Sequence, residues 1–317
     1  MIAIRVLPLL VCAALLAGCG GSGGDAGASS ASPAPKPRAL SVAGRRRVDA
    51  RLDEWTLRTN ALREPTHVRV LVPAGYRADA GRRYPVLYLL HGAGADYRAW
   101  TRYGGAEVLT AKTKLIVVMP DGGTDGWYTD WYIGGKPVQP RWETYHVREL
   151  VPWVDATYRT FAGRRGRAVA GLSMGGFGAL SYAARHPRTF AAAASFSGAL
   201  EIGSSAAWGP RNGNEARWRA HLPISLAARL RSLALVELRT GDGRPGPLDR
   251  RGTRPGCEPC QVERFLLRSN VRLHRRLRAL GIRHTWDDYG PGTHDWPYWR
   301  RDLRETLPHL TRVLARR

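Results

Sequence analysis

The chain has 317 residues, 44% of them apolar, with 49 Lys and Arg against 26 Asp and Glu and a formal net charge of +23. That apolar share supplies a core for one large α/β domain or two small ones and excludes low-complexity disorder for most of the chain. The basic residues are nearly all Arg, spread without runs. Such a balance favours anionic envelope surfaces and lipid headgroups, and without a nucleic-acid motif no nucleic-acid partner is expected.

"MIAIRVLPLLVCAALLAGCG" carries one early Arg, an apolar stretch too short for a typical membrane span and small residues at its end. It reads as an export signal. Leu16-Ala17-Gly18-Cys19 resembles the bacterial lipobox, which implies cleavage before Cys19 and a lipid on its thiol. Residues 1–18 are therefore expected to be a lipoprotein-type signal, and 19–44 a disordered Gly/Ser/Ala/Pro tether with nothing to bury. A single domain is expected over 45–317, since no repeat or second linker follows.

Within it, "THVRVLVPAGY" (66–76) alternates like a half-exposed strand, while 84–92 and 114–123 are continuous apolar runs ending in glycine. The latter suit buried strands of a parallel sheet. Residues 168–173, 191–198 and 232–243 continue the series. Between them Val147, Leu150, Val151, Val154 and Tyr158 fall on one face of a helix over 143–161. Leu303, Leu307, Leu310 and Leu314 do the same in the last segment, where Pro308 threatens a kink. Alternating strands and helices predict an α/β fold with a mostly parallel central sheet and helices on both faces.

At the end of one such strand stands "GLSMG", residues 171–175. The G-x-S-x-G pattern is a nucleophile elbow, a strained strand-to-helix turn exposing Ser173, with the Met174 N–H behind it as an oxyanion donor. By itself it is also compatible with a glycine-rich turn and a solvated serine. A serine nucleophile needs a base and an acid further along the chain. His294, in the glycine-rich loop "YGPGTHDWPYW", sits where the base is required. His284 in a strand and His309 on the last helix suit structural roles. Asp242 after the penultimate strand, Glu263 opening the next helix just after "CEPC", and Asp249 deeper in a loop are the candidates, and either of the first two is chemically able to orient an imidazole. Cys257 and Cys260, in "CEPC", suit an oxidised pair pinching a loop. Zinc would need four ligands, and the other two cysteines, Cys12 and Cys19, belong to the signal, so no metal or cofactor is implied.

The segments "RYPVLYLLHGAGADYRAW", "MPDGGTDGWYTDWY", "GLSMGGFGAL", "VERFLLRSN" and "GTHDWPYW" together resemble the esterase family that holds esterase D, feruloyl esterases and the antigen 85 mycolyltransferases. The likeness spans about residues 48–315 and implies an α/β-hydrolase fold. Motifs around YTDWY and GTH-x-W-x-YW lean towards antigen 85, whose acid is a glutamate seven residues before an Asn. That implies Glu263, ahead of Asn270; the esterase D position for an Asp is occupied here by Arg244. The resemblance also implies Ala93 N–H as the second oxyanion donor. Asp130 lies in a motif at the family's active-site mouth, where it would position substrate or brace a loop, and Trp296 would wall the pocket or pack. A Cys257–Cys260 disulfide would restrain the approach to the acid's helix.

At the oxyanion loop the chain has His91-Gly92-Ala93-Gly94 where antigen 85 has Asp-Gly-Leu-Arg. The absence of that Arg favours hydrolysis over transfer to a sugar. The expected function is thus an exported serine ester hydrolase acting on a small-molecule or lipid ester at the membrane. Acyl transfer and a non-catalytic binding role are the alternatives, and residues 201–231 are expected to form an insertion above the pocket.

Overall fold

The computed structural model describes residues 40–314 apart from 202–203, 206 and 212–213. They fall in one compact unit, Pro37–Arg317. The export signal, Cys19 and most of the tether lie outside the described residues.

Three strands come first, β1 (Ser41–Arg47), β2 (Leu52–Arg58) and β3 (Thr66–Leu71). Residues 41–44 are therefore sheet, a correction to the expected tether ending at 44. The exposed face of β1 hid it, because hydrogen bonds and arginine contacts to β2, not an apolar pattern, hold it in place. Next are β4 (Val86–Leu90), the short helices α1 (Ala99–Arg102) and α2 (Ala106–Leu109), β5 (Ile116–Pro120), and a hairpin of β6 (Asp130–Ile133) with β7 (Lys136–Arg141).

The segment expected as one helix over 143–161 is a π-helix at Thr144–Leu150 running into α3 (Val151–Thr157). Pro152 has no N–H for an ordinary helical bond, and the Val151 N–H reaches back to His146 O. The five apolar residues are buried all the same. Then follow β8 (Arg167–Leu172), α4 (Met174–Arg185), β9 (Ala192–Phe196), the two-residue strands β10 (Ser204–Ser205) and β11 (Gly209–Pro210), and α5 (Glu215–Arg219). The chain closes with β12 (Leu235–Thr240), α6 (Glu258–Ala279), β13 (Thr285–Asp288) and α7 (Trp296–Leu314), which continues through Pro308.

The main sheet has nine strands in the order β1-β2-β3-β5-β4-β8-β9-β12-β13. Every pair from β5 to β13 is parallel and the first three pairs are antiparallel. Both faces are covered. Val86, Tyr88 and Leu90 of β4 pack with α3, α4 and α6, whereas Leu87 and Leu89 pack with Trp100 and the Leu303, Leu307, Leu310 and Leu314 stripe of α7. Truncating a fully buried member such as Leu303 to Ala would cost about 2–5 kcal/mol.

Candidate active site

Strand β8 turns into α4 at Ser173, whose φ of 52° and ψ of −119° lie where few non-glycine residues go. The turn is tight enough to demand glycine on both sides. A Cβ on Gly171 would stand 2.4 Å from Gly175 O, and one on Gly175 would stand 2.6 Å from Leu90 O and His91 O. The strain is held by the Ser173 N–H donating to Phe196 O at 2.9 Å and by Phe177 and Ala199 N–H groups donating to Ser173 O, each at 3.1 Å.

Ser173 opens into a cavity of about 530 Å³ lined by the 92–96 loop, Arg102, Tyr103, Thr124, His294, Trp296 and Trp299. Ala93 lines it, and Met174 follows the serine at the buried start of α4. A larger concavity, about 830 Å³, lies among Arg58, Asn60, Arg63 and Gln139, apart from every residue singled out in the sequence. Burial would raise the Asp96 carboxyl at the cavity's edge, but hydrogen bonds from the Arg98 side chain and backbone bring it below the usual carboxylate range.

His294 lies in the loop before α7, with its Nδ1 2.7 Å from Glu263 Oε2. Glu263 is fully buried, and its Oε1 accepts from Ser197 Oγ (2.8 Å), Thr240 Oγ1 (2.9 Å) and Gly241 N–H (2.7 Å). A carboxylate only accepts, so the proton between the pair resides on His294 Nδ1 and Nε2 is left as the base. Trp299 meets the imidazole edge-on at 4.8 Å, and the His294 N–H donates to Pro259 O at 3.1 Å.

The other acids face elsewhere. Asp242 is held by Arg244, whose N–H and Nε donate to it at 2.8 and 2.7 Å. The arginine standing at the esterase D acid position thus occupies the alternative acid. Asp249 accepts from Thr293 Oγ1, Gly246 N–H and Tyr298 Oη, pinning the loop just ahead of His294. His284 pairs with His274 at 2.8 Å and His309 with Glu237 at 3.1 Å, both outside the cavity's lining.

Asp130 is not part of the lining. Its two oxygens take the Thr144 N–H (2.9 Å) and Thr144 Oγ1 (2.6 Å) at the start of the π-helix, contacts that suit the bracing one of its two expected roles rather than the substrate-binding one. Trp296 both walls the cavity and packs, edge-on to Trp100 and Trp299 and tilted against Tyr103. The described part of 201–231 is not among the residues that line this cavity; Trp208 and Trp218 are buried with Phe177 and Leu266. Cys257 and Cys260 are disulfide-bonded at the start of α6. The helix begins at Glu258, which puts Glu263 in its second turn rather than at its opening.

Ser197 and Thr240, which hold Glu263, were not singled out in the sequence, and Asp249, weighed there as an acid, braces the histidine's loop instead. Ser197 follows β9 and Thr240 ends β12, the two strands next in order after β8. Among the described residues no group of three His, Cys, Asp or Glu could hold a metal ion.

The family model described as "Putative esterase" matches residues 59–310. The chain belongs to this esterase family. It is 46% identical over 166 residues to "Esterase Rv1288" of Mycobacterium tuberculosis, a match covering 51% of the chain and 36% of that protein, so the chain spans about a third of that relative's length. It is 32% identical over 256 residues to "Diacylglycerol acyltransferase/mycolyltransferase Ag85B" of Mycolicibacterium smegmatis, covering 72% of the chain and 77% of the relative. Among solved structures, a ferulic acid esterase superposes with a TM-score of 0.66 at 26% identity, over 83% of the chain and 98% of that one. The MPT51 protein of M. tuberculosis shares the fold, with a TM-score of 0.65 at 24% identity over 81% and 96% of the two chains. This esterase-family chain therefore has the α/β-hydrolase architecture expected from its motifs.

Proposed function

We propose that this chain is an exported serine hydrolase of carboxylic esters. One arrangement carries the reading: the Glu263–His294 pair, 2.7 Å apart, opens onto the same cavity as the strained elbow serine. Ser173 Oγ attacks the acyl carbonyl carbon and its proton passes to His294 Nε2, while Glu263 holds the Nδ1–H and offsets the imidazolium charge. The tetrahedral oxyanion lies between the N–H groups of Met174 and Ala93, each worth about a hundredfold or more in rate. Collapse expels the alcohol, which takes the proton from His294. Water then attacks the acyl-enzyme by the same route and releases the acid. Residues 1–18 supply the address, with export, cleavage before Cys19 and a lipid on that thiol holding the domain at the membrane, where small-molecule or lipid esters are its substrates.

A second reading, in which an alcohol replaces water in the last step, is favoured by the 32% identity to a diacylglycerol acyltransferase and mycolyltransferase over most of the chain. Both are tested by turning over nitrophenyl esters of rising acyl length with the full chain, with and without glycerol or trehalose, and identifying products by mass spectrometry. Free acid as the main product supports hydrolysis, and acylated alcohol supports transfer. Ser173→Ala should lower kcat by about four orders of magnitude or more. An unchanged rate in that variant would overturn the serine mechanism.

A further inference from the structure

We propose that His91 is a positioning residue for the oxyanion donor: its imidazole, protonated on Nδ1, fixes the peptide plane between Gly92 and Ala93 and thereby aims the Ala93 N–H at the reacting carbonyl oxygen. This rests on the hydrolase reading above.

The carbonyl of Gly92 and the N–H of Ala93 belong to one rigid trans peptide, so they point in opposite directions and fixing one fixes the other. Gly92 O is held twice, by His91 Nδ1 at 2.8 Å and by the Ala95 N–H at 3.3 Å. The imidazole is itself held, because its Nε2 accepts the Gly122 N–H at 2.9 Å. An accepting Nε2 carries no proton, which puts the ring's proton on Nδ1 and makes that nitrogen the donor to Gly92 O. Asp121 Oδ1 stands farther from Nε2, at 3.4 Å, and accepts the Gly123 N–H instead.

Nothing around the ring leaves it room to turn. His91 is 1% exposed, its own carbonyl accepts from Tyr128 Oη at 2.9 Å, and the Gly94 N–H on the far side of the loop donates to Thr124 O at 2.9 Å. The loop passes directly over the nucleophile: a Cβ on Gly92 would lie 2.6 Å from Leu172 Cδ1 and 3.4 Å from Ser173 Cβ. The histidine is thus a strut between the loop after β5 and the peptide that faces Ser173. It is not among the residues that line the cavity.

The test uses the full chain, p-nitrophenyl butyrate as substrate and phenylboronic acid as a tetrahedral-adduct probe. In His91→Asn the carboxamide nitrogen takes the place of Nδ1 and can still donate to Gly92 O. In His91→Gln the carboxamide reaches the place of Nε2, and Gly92 O loses that donor. His91→Gln should lower kcat about ten- to hundredfold, change KM less than about twofold and weaken phenylboronic acid by the same factor as kcat. His91→Asn should recover about tenfold of that loss. A purely structural histidine would move the melting midpoint without this split between kcat and KM. If His91→Gln does not fold, His91→Asn decides alone: retained phenylboronic acid affinity supports the proposal, and a loss of about tenfold or more in the folded variant overturns it. An active wild type whose His91→Gln variant keeps its kcat, or loses kcat with phenylboronic acid unaffected, overturns this inference and leaves the hydrolase reading standing. A wild type that turns over no ester overturns both.

Discussion

Glu263 Oε2 lies 2.7 Å from Nδ1 of His294, and the remaining carboxylate oxygen is saturated by three donors from the ends of β9 and β12. A fully buried acid with every acceptor direction filled cannot rotate away from its histidine. The geometry is therefore built before substrate arrives, which is how an orienting acid lowers the cost of reaching the transition state.

Replacing Glu263 by Gln puts an NH2 group where either the Nδ1–H or the three donors must face it, so the imidazole loses its tautomer and orientation. The expected kcat is about three to four orders of magnitude lower. Asp242→Asn, removing a partner of Arg244 only, should stay within about threefold of wild type. Steady-state kinetics on both variants check this, and the reverse ranking would return Asp242 to the acid's role.

The disulfide touches the same machinery. Cys257 Sγ accepts the Cys260 N–H at 3.2 Å where α6 begins, and between them Pro259 O accepts the His294 N–H at 3.1 Å. Replacing both cysteines by serine loosens the turn that carries the histidine's backbone partner. A two- to tenfold fall in kcat with KM unchanged is expected, roughly the effect of a sub-ångström misplacement of the base. Matched kinetics of the oxidised protein and the double variant measure it.

Asp130 and Trp296 should respond differently to truncation. Asp130→Ala removes both bonds to Thr144 and should lower stability by about 1–3 kcal/mol with KM unchanged. Trp296→Ala opens the cavity wall and should raise KM about tenfold or more, at a stability cost of about 2–4 kcal/mol. Chemical denaturation beside Michaelis kinetics separates the two outcomes.

Acid should destabilise the fold in two windows. Burial pushes His146 down to about 4, and burial with the nearby Arg185 charge pushes His221 down to about 4. The unfolded chain takes these protons near pH 6.5 while the folded one refuses them until about pH 4, so stability is full above that range and falls across it. Burial would raise Glu143, but the His186 hydrogen bond and the Arg185 charge bring it down to about 2, so its contribution is present above pH 4.5 and lost below. Each histidine should contribute about 3 kcal/mol between pH 6.5 and 4. Urea unfolding at steps of pH follows the loss, and His146→Gln should roughly halve the slope of the upper window.

Much of this was legible along the chain, for local reasons. The elbow around Ser173 is a five-residue pattern whose glycines answer clashes with immediate neighbours. The buried strands announce themselves as unbroken apolar runs because both of their faces are covered. Leu303, Leu307, Leu310 and Leu314 form a stripe because one face of α7 meets the sheet. His294 followed from its place in chain order before the last helix. By contrast β1 carries no apolar pattern, and its strand character comes from hydrogen bonds to β2.

What the sequence determined by itself was the fold class and the serine with its histidine, since each rests on residues close together in the chain or on the order of elements. For the acid, the sequence singled out Glu263 only through a family resemblance; its contact with His294, the bonds from Asp130 to Thr144 and the peptide held by His91 appear only in the tertiary structure. Several carboxylates satisfied the same chemistry on paper. The choice fell to whichever one the packing of α6 under β9 and β12 carried to an imidazole 31 residues away, while Arg244 closed off its rival. A contact of that kind depends on where whole elements settle, and the chemistry of the candidate carboxylates alone does not encode it.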